Sequence, residues 1–133
     1  MATDPDAELV HRAEALLERD LPTTKLTLKE AQDLVDRISH AEDIDPPKVL
    51  NFPITRRYDG LALPNERVIV VRTSGPTQLT IIHEVAHFLG GMDHGARFRR
   101  TYLELLRRHV SIDHHSILET ALIPRASGSD TET

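Results

Sequence analysis

The chain has no cysteine and no tryptophan among its 133 residues, and its aromatics amount to two tyrosines and three phenylalanines. Without cysteine there can be no disulfide, no Cys-x-x-Cys zinc ribbon and no thiol nucleophile, so any metal must be held by His, Asp or Glu. No apolar run approaches the roughly 20 residues of a membrane-spanning helix. The segment Met1 to Asp6 is acidic and lacks the basic-then-apolar pattern of a secretory signal. An excess of basic charge is missing too. The net charge of −5 gives no global attraction to nucleic acid or anionic lipid. These absences lead to the expectation of a cytoplasmic chain with no membrane segment and no nucleic-acid signature.

The length suits one domain burying roughly two thirds of its unfolded surface. We place it at residues 1–124, with 125–133 expected to be a disordered tail, since that stretch is Ser, Gly, Thr and acid without large apolar residues. Asp4-Pro5 reads as an N-cap and first helical residue, and Leu9, Ala13, Leu16 and Leu17 carry a helical period to about Asp20. His11 within it is expected to be merely solvated. Thr27-x-x-Glu30 is a capping box, and Leu28, Ala31, Leu34, Val35 and Ile38 form the stripe of a second helix ending near Ala41. Asp43 to Pro47 is expected to be a loop, because Pro46-Pro47 cannot continue a helix. Val49 to Ile54, Tyr58 to Leu63 and Arg67 to Arg72 have strand character and suggest a small antiparallel sheet.

After Ser74-Gly75-Pro76-Thr77 comes a stretch apolar nearly all round, which belongs in a core and is stopped by Gly90-Gly91. A further helix should run from Ala96 to about Val110 with Phe98, Tyr102 and His109 on one face and a basic set on the other: Arg97, Arg99, Arg100, Arg107 and Arg108. Asp113 or Ser116 is expected to cap a last short helix ended by Pro124.

The core stretch contains His83-Glu84-Val85-Ala86-His87. One helical turn rises roughly 6 Å over four residues, so His83 and His87 project side by side and can share a metal ion. Glu84, beside the first of them, can serve as the base that takes a proton from an attacking water. Two polar rings and a carboxylate in an apolar helix need partners, which makes a chance occurrence of the motif a poor account of it. The third ligand has two neighbouring candidates. Asp93 completes His-Glu-x-x-His-x-x-Gly-x-x-Asp, and His94 follows it. Asp93 could equally hydrogen-bond a ligand or cap the next helix. Tyr58, Tyr102 and Arg97 are candidate stabilisers of an oxyanion. His109, His114 and His115 lie too far along the chain to be assigned to the site.

His83-Glu84-Val85-Ala86-His87, then His94-Gly95-Ala96-Arg97-Phe98 and Tyr102-Leu103-Glu104-Leu105-Leu106, resembles the small bacterial and phage-encoded metallohydrolases, known mostly from actinobacteria, that end in HExxH, a short loop, HGxxF and a helix. More distantly it is similar to SprT-like proteins and other minimal zincins. The similarity spans about Leu79 to Val110. It implies an α+β, minimal zincin-like fold in which a small antiparallel sheet packs on the HExxH helix between N-terminal and C-terminal helices. It also implies that His94 rather than Asp93 is the third ligand. The metzincin Met-turn is missing, since no Met follows Met92, and so is the cysteine needed for the ribbon of SprT-like DNA-repair proteases. The expected activity is that of a zinc-dependent peptidase with Zn2+ on His83, His87 and His94, Glu84 as base, and a peptide or protein substrate. Two alternatives stand beside it: a metal-stabilised regulatory or interaction module, and a hydrolase of a non-peptide amide or ester.

Overall fold

The computed structural model describes residues 4–54 and 58–123. The chain runs α1 (Pro5–Asp20), α2 (Leu28–Ala41), β1 (Lys48–Asn51), β2 (Gly60–Leu63), β3 (Val68–Val71), α3 (Gln78–Gly90), α4 (Ala96–His109) and α5 (Ile112–Ala121). This is an α+β arrangement, and each helix starts where the sequence offers a cap or a flexible residue. Asp4 caps α1 by accepting the Asp6 N–H at 3.2 Å, with Pro5 in the first turn. The Thr27/Glu30 box closes in both directions, at 3.0 and 2.8 Å. Thr77 caps α3 through the Thr80 N–H at 3.1 Å. The cap of α5 is Ser111, which accepts the His114 N–H, instead of Asp113 or Ser116. A serine immediately before the first helical residue satisfies an otherwise orphaned donor, while the other two residues already lie inside the helix. The expected tail, 125–133, lies outside the described residues.

The sheet is mixed rather than antiparallel. Its strand order is β1-β3-β2, with β2 antiparallel and β1 parallel to β3. β3 is Val68-Ile69-Val70-Val71 and buries three of its four residues, so it takes the centre. β2 turns into it as a hairpin, which leaves the other side of β3 to β1, and β1 runs parallel to it there. β1 remains largely exposed at its edge, where Gln32 of α2 mimics a neighbouring strand: its amide accepts the Val49 N–H at 2.8 Å and donates to the Pro47 carbonyl at 2.9 Å. A side chain clasped to a strand edge blunts its tendency to pair with other chains.

One core joins all of this. Val10, Ala13 and Leu17 of α1, Val35 and Ile38 of α2, Ile69 and Val71 of β3, Ile81, Ile82 and Val85 of α3, Phe98, Tyr102 and Leu106 of α4 and Leu118 of α5 are buried together. α3 lies in the middle, with the β2 edge of the sheet and α2 to one side and α4 packed along it. No helix among the described residues is long and apolar enough to cross a membrane.

Candidate metal centre

α3 is buried nearly all round, and its polar residues His83, Glu84 and His87 are 8 %, 6 % and 7 % exposed. The helix ends at Gly91, whose φ of 95° suits glycine, and the turn that follows carries His94 back over the helix. The Nε2 atoms of the three histidines converge. That of His83 lies 3.2 Å from His87 Nε2 and 3.3 Å from His94 Nε2. Donors around a tetrahedral zinc with bonds of about 2.0–2.1 Å stand about 3.3–3.4 Å apart, so the spacing fits one shared ion.

The opposite nitrogens explain the convergence. His83 Nδ1 bonds to a Glu14 carboxylate oxygen, His87 Nδ1 to the Gly91 carbonyl at 2.8 Å, and His94 Nδ1 to Asp4 Oδ2 at 2.6 Å. An oxygen on every Nδ1 holds the proton of each neutral ring there and leaves Nε2 as a lone pair. When His83 is neutral, as metal binding requires, the three Nε2 lone pairs face a common point where one cation could sit. Around them the supports are closely fitted. The Tyr102 hydroxyl donates to Glu14 Oε2 at 2.6 Å, and the His94 N–H donates to Asp4 Oδ2 at 3.0 Å. Arg99 donates to the His94 carbonyl at 2.8 Å. Phe98 forms the floor, stacked on His87 with ring centres 4.3 Å apart and lying 5.2 and 4.9 Å from those of His83 and His94.

The protonation preferences follow the partners. Burial pushes the His83 imidazole down, but the Glu14 carboxylate outweighs it by charge and hydrogen bond and lifts it to about 9. His87, with only a neutral carbonyl as partner, is taken by burial to about 4. Burial raises the Glu84 carboxyl to about 7, against the pull of His83 and with the push of Glu14. Burial also works against the charge on Glu14, yet His83 and the Tyr102 hydroxyl hold it below the usual carboxylate range.

Asp93 is not among the converging ligand atoms, which belong to His83, His87 and His94. Its exposed carboxylate instead accepts the Gly95 N–H at 3.1 Å. Of the candidate oxyanion groups, Tyr102 is buried with its hydroxyl committed to Glu14, and Arg97 is committed to the Leu89 carbonyl at 3.2 Å. Tyr58 is exposed. His109, His114 and His115 belong to α4 and α5 outside the group, and Arg107 and Arg108 are paired with Glu104 and Glu42. Three contributors were not visible in the motif. Asp4, read only as a cap, also holds His94, and Glu14 holds His83. Gly60 lets β2 pass Glu84, since a Cβ there would lie 3.0 Å from Glu84 Cγ and 3.1 Å from Oε2. The one linear hint was a row of polar residues on α1, Asp4, His11 and Glu14, beside an apolar stripe. Comparison with protein-family models, curated proteins and solved structures gave no match.

Proposed function

We propose that the chain is a zinc-dependent hydrolase that cleaves peptide bonds with Glu84 as its general base. One observation carries the reading: three imidazole Nε2 atoms draw together while every Nδ1 is held by an oxygen, and a buried carboxylate follows the first of them on the same helix. Three nitrogen donors within 4.8 Å of one another, His83 at tetrahedral spacing from each of the other two and no thiolate among them, suit zinc. When bound, zinc supplies Lewis acidity and lowers the pKa of water toward 7.

The chain's own groups account for the remaining chemistry. Glu84, brought to about 7, accepts a proton from the attacking water on a carboxylate oxygen and returns it to the departing nitrogen. A base must do both near neutral pH, and a pKa close to the working pH serves each step. β2 favours a peptide over a small amide or ester. It is an edge strand that passes Glu84 at Gly60. An extended substrate backbone can align along such an edge. Asp93, turned to Gly95, leaves the coordination set at three protein donors, which favours a hydrolase over a closed structural site.

Zinc titration of the purified chain tests the reading. About one ion per chain is expected, lost in His83→Ala, His87→Ala and His94→Ala and kept in Asp93→Ala. A chain that takes up no zinc would end it.

A further inference from the structure

His11 hydrogen-bonds to none of the three imidazoles, yet it stands beside them. It lies on α1 seven residues after Asp4 and three before Glu14, a spacing that puts all three on one side of the helix. The two carboxylates hold His94 and His83, so the helix carries His11 along the same two ligands. Its ring centre is 6.0 Å from that of His94, with the planes at 63°. Ring centres within the trio are 5.0, 5.3 and 4.8 Å apart. Imidazoles sharing one tetrahedral ion through Nε2 have centres about 5.2 Å apart, so His11 stands one step outside the ligand set.

Its surroundings separate it from the ligands. His83 and His87 are buried, whereas His11 is exposed and adjoins His94, the least buried of the three. Each ligand has an oxygen on Nδ1, while no described residue hydrogen-bonds to either ring nitrogen of His11. It is therefore a free donor at the solvent side of the cluster. Glu84 is bordered by β2 and His11 comes from α1, so the two belong to different walls. Of the other candidate donors, Tyr102 is spent on Glu14, Arg97 is held toward the Leu89 carbonyl, and Tyr58 is exposed with no described contact to the three imidazoles.

From this geometry we infer that His11 is a catalytic residue of the hydrolase proposed above, donating a hydrogen bond to the acyl oxygen of the substrate as negative charge develops there. A donor preorganised toward a growing charge lowers the barrier more than it aids ground-state binding. It complements Glu84, which handles the proton.

The inference rests on the hydrolase reading, so its test includes a measurement that needs no turnover. His11→Ala and His11→Gln are compared with the parent for zinc affinity, for affinity of the zinc-loaded protein toward acetohydroxamate, and for peptide cleavage. Zinc affinity should stay within about threefold, since His11 is not a ligand. Acetohydroxamate affinity should fall about tenfold in His11→Ala and recover in part in His11→Gln, which retains a donor. Loss of one such donor should lower kcat by about 100-fold with a smaller change in KM. Unchanged acetohydroxamate affinity in His11→Ala overturns the role, and a tenfold loss of zinc affinity overturns it in favour of a fourth ligand. A parent that binds zinc and acetohydroxamate yet cleaves no peptide counts against the peptidase reading alone, and the acetohydroxamate affinities still decide the contact.

Discussion

Glu14 accepts hydrogen bonds from both His83 and Tyr102, and its charge does two things at the centre. It holds a proton on His83 Nδ1 and would make that ring a better electron donor toward a bound ion. Glu14→Gln keeps a carbonyl oxygen for Nδ1 but removes the charge, so zinc affinity should fall about 10–100-fold with the fold intact. Competition with a chelator reads this directly, and unchanged affinity would leave Glu14 a packing residue. Glu84 predicts the opposite pattern. It lies outside the converging ligand set, so Glu84→Gln should keep zinc while peptide turnover drops roughly 10²–10⁴-fold. Turnover equal to the parent's would remove Glu84 from the mechanism. Both carboxylates act on the His83 imidazole by charge, yet under the proposed function one would work through a metal ligand and the other on the substrate.

Among the elements, α3 and β2 meet where the strand passes Glu84. Gly60→Ala would put a methyl group 3.0 Å from Glu84 Cγ and 3.1 Å from Thr80 Cγ2. Either the strand or the carboxylate must shift, and a shift of 1 Å at a catalytic group can cost 10²-fold in rate by order of magnitude. Turnover should fall in this variant with zinc stoichiometry unchanged, and a fully active Gly60→Ala would show that β2 has slack there. The helices were legible because their signals are local: the Thr27/Glu30 box, the Asp4-Pro5 start, and the Gly90-Gly91 stop all act within one turn. The trio's α3 members were legible for the same reason, being one turn apart. The parallel pairing of β1 was not, because it depends on which side of β3 the hairpin leaves open. Glu14 and Asp4 were not legible as supports either, since 69 and 90 residues separate them from the rings they hold. Phe98 falls between these cases. Its helical position was readable, but its stacking on His87 becomes apparent only once α4 is packed on α3.

For the molecule as a whole, protons and a bound metal would compete for the same nitrogens. In the metal-free protein His83 is raised from 6.5 to about 9, so its pairing with Glu14 contributes stability that is full below pH 6.5 and is lost as pH rises through 9. Glu84, raised from 4.5 to about 7, loses its contribution earlier on the same rising scale, while His87, lowered from 6.5 to about 4, loses its own as pH falls. Chelator-treated protein should therefore melt at a lower temperature at pH 9 than at pH 7, and Glu14→Gln should flatten the difference. Equal melting temperatures at the two pH values would argue against a charged His83–Glu14 pair. Zinc requires the neutral ring, so the loaded protein should gain more from the metal at pH 9 than at pH 7. The placement of both supporting carboxylates on α1 has one further consequence. Through Asp4 and Glu14, an ion on the three imidazoles pins the first helix to chain 90 and 69 residues away, as a pair of long-range cross-links would. Because those links exist only in the folded chain, the ion would add its binding free energy to the folded state, whereas a disulfide acts by restricting the unfolded one.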